Sequence, residues 1–275
     1  MNEKIITEEI EIPQLKRKRK IRIYLPLNYN ETNKKYPVLY MQDGQNLFNT
    51  KTSAFGKGWG INKTLNNLEK REDFEGIIVV GIDNNEILKY GIGRLNEYSP
   101  WENSEIGNNK NWLGKNQILG GEGAEYAKFI VETLKPKIDK EYRTLSDRDN
   151  TAISGSSMGG IISLYTGLKY QNVFSKIAGL SNAFWFAEKE MLEFIEKNGK
   201  KNDMKIYLDV GTKETSKVEN LDFPAIYINS NKSIVKKVKE YFEDVKFVIE
   251  EGSEHNEIYW AKRFPEVIKY LFELK

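Results

Sequence analysis

Three side chains in this 275-residue sequence have the types and chain order that acyl transfer needs: Ser157, a carboxylate near residue 214, and His255. A serine hydroxyl becomes a nucleophile when a neighbouring base takes its proton. The base holds the right tautomer when a carboxylate binds its far ring nitrogen. Ser157 lies in Gly155-Ser156-Ser157-Met158-Gly159, a Gly-x-Ser-x-Gly pentapeptide. Ser157 is the apex of that motif, and Ser156 fills its variable position. His255 is the only histidine, so it is the one imidazole available as a base.

The elements around these residues must bring them together. An apolar run over 150–154 predicts a strand, and 161–168 predicts a helix, so the pentapeptide is the sharp turn of a nucleophile elbow. Side chains at Gly155 and Gly159 would crowd such a turn. The helix behind Ser157 aims its N-terminal amides at the reaction centre. A further strand over 205–210 ends in the loop 211–214, which carries Glu214, the first choice for the acid. Asp209, inside the strand, and Asp222 are the alternatives. The last strand, over 246–250, precedes the turn holding His255. An oxyanion hole needs two backbone N–H groups. Met158, after the nucleophile, supplies one. Gln45, in the turn after a strand over 36–41, is the candidate for the other, through its amide alone.

Strands over 36–41 and 77–82 are short apolar runs of the buried kind. Helical spacing recurs over 60–71, 123–142, 187–197, 229–242 and 264–274, with Pro136 placed to kink the second of these. This alternation predicts an α/β fold with a mostly parallel central sheet and helices on both faces. Residues 5–12 and 19–25 add an N-terminal antiparallel hairpin, with the basic run 16–20 as a solvated tip. With no repeat and no linker, residues 1–275 are expected to form a single domain.

Composition narrows the setting. Hydrophobic residues make up 39%, and 42 basic residues nearly balance 40 acidic ones. No nucleic-acid partner is expected from that balance. The absence of cysteine removes disulfides, thiolate metal sites and cysteine nucleophiles. Nothing in the sequence points to a metal or an organic cofactor. The charged N-terminus has no apolar stretch of the secretory kind, and no run approaches the roughly 18 apolar residues of a membrane span. A cytoplasmic protein with no membrane partner is the expectation; the oligomeric state is open.

The segment 83–120 is long, polar and aromatic without a clear period, which suits a substrate rim. It contains Arg94, Glu97, Tyr98, Trp101 and Trp112. Arg94 and Glu97 are expected to pair and brace the rim. Trp101 and Trp112 either stack on a sugar or aromatic acyl group or simply pack. Asp43, Arg94, Tyr98, Trp101 and Trp185 are the candidate substrate contacts.

Several of these stretches occur together in one known group. Residues 36–48 (Tyr-Pro-Val-Leu-Tyr-Met-Gln-Asp-Gly-Gln-Asn-Leu-Phe), 94–101, 155–160, 211–214 and 255–260 give a sequence that resembles the putative esterase family of α/β-hydrolases, also called the esterase D family. That family includes feruloyl esterases, enterochelin-type siderophore esterases and mycolyltransferases. The resemblance implies an α/β-hydrolase fold, Ser157 as nucleophile, His255 as base, and an acid in the Gly-Thr-x-Asp/Glu loop. That position is Glu214 here, where many members carry Asp. Asp43 stands where many α/β-hydrolases have His before Gly. The implied activity is hydrolysis of a small or carbohydrate-linked acyl ester through an acyl-enzyme. A siderophore esterase, an acyltransferase to a sugar hydroxyl and an inactive binding protein on the same scaffold are the alternatives.

Overall fold

Period-two alternation sorts the apolar side chains of the central strands onto two faces. Val38 and Tyr40 enter one core with Ile78, Val80 and Ile153, while Leu39 and Met41 enter the other with Val79 and Ala152. Both faces are therefore covered, as a near-continuous apolar strand requires. The computed structural model describes residues 5–53, 56–71, 73–85, 91–104, 118–215 and 222–274.

An eight-stranded sheet has the order β1-β2-β4-β3-β7-β8-β9-β10. Strands β1 (Ile6–Ile12) and β2 (Arg17–Tyr24) form the antiparallel hairpin, and β2 runs antiparallel to β4 (Ile78–Ile82). From β4 onward the strands are parallel: β3 (Val38–Gln42), β7 (Thr151–Ser156), β8 (Lys176–Leu180), β9 (Lys205–Lys213) and β10 (Val245–Glu254). A two-stranded ribbon, β5 (Glu102–Asn103) with β6 (Leu119–Gly120), lies outside this sheet. Helices α1 (Ile61–Leu68) and α8 (Glu257–Phe272) cover one face. The other is covered by α3 (Gly123–Phe129), α5 (Met158–Lys169), α6 (Glu188–Asn198) and α7 (Phe223–Lys239).

The structure moves several expected boundaries. The segment 83–120 contains a helix, α2 (Ile92–Tyr98), as well as the ribbon. Its polar residues hide the period, because α2 buries Glu97 beside Leu95 and Tyr98. Trp112 lies outside the described residues. Helix α7 begins at Phe223 rather than 229, because Asp222 caps it by accepting from the Ala225 amide at 3.2 Å. Strand β10 extends to Glu254 through an irregularity after Glu250, so His255 follows it directly. Pro136 does not interrupt an α-helix. The chain widens into a π turn at Ile130–Leu134, and Pro136 then falls in the first turn of α4 (Lys135–Glu141). The wider turn accommodates the missing N–H and the ring.

Lys16, Lys18 and Lys20 of the basic run are exposed as expected, but its two arginines turn inward. Arg19 is buried and its Nη2 donates to Glu97 Oε1 at 2.5 Å. Arg17 donates to the same oxygen at 3.0 Å and to Glu122 at 2.8 Å. Alternation along β2 directs both arginines to the covered face.

Candidate active site

Five loops converge at the carboxyl ends of the parallel strands, where ligands bind in open α/β sheets. They begin at Asp43 after β3, Ser157 after β7, Ser181 after β8, Glu214 after β9 and His255 after β10.

Ser157 connects β7 to α5 with φ 59° and ψ −123°, a conformation that L-residues avoid. The turn holds because its backbone is tied on both sides. The Ser157 N–H donates to the Leu180 carbonyl at 2.9 Å, and its own carbonyl accepts from Gly160 at 3.0 Å and Ala183 at 3.2 Å. A Cβ on Gly155 would lie 2.5 Å from the Gly159 carbonyl oxygen, so that position admits only glycine. Gly159 is less strict, since its nearest neighbour would be the Gln42 side chain at 3.1 Å.

His255 Nε2 lies 2.9 Å from Ser157 Oγ, and His255 Nδ1 lies 2.5 Å from Glu214 Oε2. Glu214 is fully buried, and its other oxygen accepts from the Gly211 amide at 2.7 Å. Burial pushes this carboxyl up. The histidine, the Ser181 hydroxyl and the Gly211 amide outweigh that effect and hold it below its ordinary value. The imidazole packs between Tyr227, with ring centroids 5.0 Å apart, and the edge of Trp260 at 5.1 Å.

The two rival acids have other partners. Asp209 is buried, with Oδ2 3.0 Å from Arg263 Nε and Oδ1 accepting from the Ser181 amide at 2.9 Å. Burial pushes its carboxyl up to about 6, against the pull of Arg263. Asp222 is the exposed cap of α7.

Met158 is the first residue of α5, and its N–H has no acceptor within the helix. Gln45 sits in a single 3-10 turn, Gly44–Asn46, entered through a left-handed Asp43 at φ 56°. The Gln45 side chain also has a structural use, because its Oε1 accepts from the Asn84 amide at 3.1 Å.

Arg94 does not pair with Glu97, as its sequence neighbourhood suggested. Glu97 faces β2, while Arg94 turns to the site and grips both Asp43 oxygens at 2.7 Å. Asn84 donates to the same carboxylate at 2.7 Å, and the Asp43 amide donates to the Tyr98 hydroxyl at 3.0 Å. The Arg94 guanidinium also stacks 4.9 Å from the Tyr98 ring centre. Asp43, Arg94 and Tyr98 thus fix one another at the turn after β3. Trp101 packs on Tyr165 and Phe194. Trp185 is half-buried in a ring cluster with Phe186, Phe223 and Tyr227, beside His255.

Sequence reasoning missed Tyr227, Ser181 and Arg263. Tyr227 and Ser181 carry no motif of their own. Arg263 had a signal: it lies three residues after Trp260, on the same face of α8, and a charge buried at Asp209 requires a partner. Among the described residues, no group of three or more His, Asp or Glu is arranged to hold a metal ion. No described helix is long and apolar enough to cross a membrane.

The family described as Putative esterase matches residues 12–271. The chain belongs to that family. It is a carboxylic ester hydrolase of the α/β-hydrolase fold. Its relatives include the uncharacterized protein YbbA of Bacillus subtilis, 23% identical over 92% of each chain. An endo-1,4-beta-xylanase/feruloyl esterase of Xylanibacter ruminicola is 24% identical over 91% of this chain and 29% of its own. Among solved structures, an IroE-like serine hydrolase from Shewanella oneidensis superposes with a TM-score of 0.75 at 19% identity, over 98% of this chain and 79% of that one. The enterobactin esterase FES of Shigella flexneri gives 0.73 at 16% identity, over 99% and 59%.

Proposed function

We propose that this esterase works through an acyl-enzyme on Ser157 and that its substrate is a small or carbohydrate-linked ester with an aromatic acyl group. The observation that carries the reading is the unbroken chain from Glu214 through His255 Nδ1 and Nε2 to Ser157 Oγ. Ser157 Oγ attacks the ester carbonyl carbon while its proton passes to His255 Nε2. Glu214 keeps Nδ1 protonated and stabilises the imidazolium. The amides of Met158 and Gln45 bind the tetrahedral oxyanion. The imidazolium then protonates the leaving alcohol. Water attacks the acyl-enzyme in the mirror-image step and releases the acid.

Two observations support an aromatic acyl group. The ring cluster of Trp185, Phe223 and Tyr227 borders His255. One relative carries feruloyl esterase in its name. The likeness to the enterobactin esterase FES favours a siderophore ester as the second reading.

Turnover of p-nitrophenyl acetate by the wild type and by Ser157→Ala tests the mechanism. Equal rates would refute it. A panel of esters varied separately in acyl and alcohol parts tests the substrate class. Preference for acetyl over feruloyl at a fixed alcohol would remove the aromatic assignment.

A further inference from the structure

Among the described residues, the two edges of the eight-stranded sheet are β1 and β10. An edge strand presents unpaired N–H and C=O groups, and proteins blunt such edges with charge. Strand β1 is blunted in this way: Glu9 and Glu11 are exposed along it and pair with Lys18 of β2. Strand β10 instead begins Val245-Lys246-Phe247-Val248-Ile249-Glu250, rich in the β-branched and aromatic residues of interior strands, yet none of these side chains is buried. Ile249 is 40% exposed, one of three large apolar side chains exposed among the described residues.

The backbone sets what can pair there. The Asp244 carbonyl turns to β9 and accepts from the Ile206 amide at 2.9 Å, and Val245 pairs with Ile206 in the parallel ladder. Backbone groups alternate between the two sides of a strand. Those of Lys246, Val248 and Glu250 therefore also turn to β9, and those of Phe247 and Ile249 turn to the open side. Side chains alternate between the faces in the same way: Phe247 packs on the core that contains α7, and Val248 on the core that contains α8.

We propose that β10 is a homodimer interface, in which two copies pair their β10 strands antiparallel about a two-fold axis at Val248 and so form one continuous sheet. This register is self-complementary, as an interface between identical surfaces must be. Phe247 exchanges both backbone bonds with the partner's Ile249. Lys246 faces the partner's Glu250, and Val248 faces the partner's Val248, in the non-hydrogen-bonded positions where side chains approach most closely. Among the described residues, neither Lys246 nor Glu250 has an ion-pair partner within the chain, and the Lys246 ammonium lies over the rings of Tyr207 and Tyr270, 5.8 and 5.6 Å from their centres. A two-fold at Lys246 or at Glu250 would set like charges face to face. One at Phe247 would set Asp244 against Glu250, and one at Ile249 would set Val248 against Glu250. The irregularity after Glu250 ends the ladder. His255 follows the far end of β10, so the two sites open in opposite directions.

Sedimentation velocity over a micromolar concentration series tests the interface. The wild type should pass from monomer to dimer as the concentration rises. Ile249→Asp should remain monomeric, because it sets a carboxylate against the partner's Phe247. Lys246→Glu and Glu250→Lys should each raise the dimer Kd about tenfold, since each turns two symmetry-related attractive pairs into repulsive ones. The double variant carrying both substitutions restores opposite charges across the axis and should recover the wild-type Kd, which also shows that neither change spoils the fold. A wild type that stays monomeric throughout, a dimer that survives Ile249→Asp, or a double variant no tighter than the single ones would overturn the proposal.

Discussion

Arg19 on β2 and Glu97 on α2 meet at 2.5 Å, both buried, and so lock the N-terminal hairpin to the helix that carries Arg94 and Tyr98. The turn after β3, which carries Asp43 and Gln45, is therefore braced from a hairpin that is distant in sequence. Arg19→Ala would leave a buried carboxylate with Arg17 as its remaining partner. At pH 8 the loss should be roughly 3 kcal/mol, as for other broken buried pairs. Urea denaturation measures it, and a loss below about 0.5 kcal/mol would show that the pair braces nothing.

The same carboxylate makes stability depend on pH. Burial pushes Glu97 up to about 7 from an ordinary 4.5, despite the two arginines. The folded state then keeps a proton that the unfolded chain has already lost. Stability from this group should fall as pH rises from 4.5 to about 7, and level off above. Glu97→Gln has no such group. The difference between the two stability curves isolates the slope, and parallel curves would disprove it.

Ser157 pays for its position in backbone strain. Ser157→Gly should abolish ester turnover and still raise stability by about 1 kcal/mol, because glycine accepts this φ and ψ. Ser157→Ala should lose activity by a factor of about 10³ or more, with no gain in stability. Thermal unfolding of the two variants side by side decides the point.

The acid can be identified by three substitutions. Glu214→Gln should lower kcat by about 10³–10⁴, the usual cost of losing the carboxylate that orients the histidine. Asp209→Asn should act mainly through stability, because it leaves Arg263 buried without its counter-charge. Asp222→Asn should change kcat less than twofold, since asparagine also caps helices (roughly equal preference). A larger kcat effect at Asp209 than at Glu214 would reverse their roles.

Much of this arrangement was legible in the chain. Period-two runs at 36–41, 77–82 and 150–154 located the buried strands, and the two glycines around Ser157 marked the elbow. Glu214 was harder, because nothing in Gly-Thr-Lys-Glu distinguishes a buried carboxylate from a solvated one. Its burial depends on β10 lying alongside β9, a long-range pairing. The sequence suggests the wrong partner for Arg94 for the same reason. Spacing along α2 permits a contact with Glu97, but β2 and Asp43, both distant in sequence, compete for the two residues and win.

Among the described residues, strand β10 is the last of the sheet and pairs with β9 alone. His255 thus rides on an open margin, and its reach to Ser157 is set by the register of one ladder. A slip of two residues there would carry the imidazole about 6–7 Å along the strand, out of range of the serine, with the rest of the sheet intact. The Gly252 amide, bonded to Thr212 Oγ1 at 2.8 Å, pins the strand within its irregularity. On the proposed mechanism esterase activity gauges that single seam, and heat or denaturant should silence it before the fold is lost.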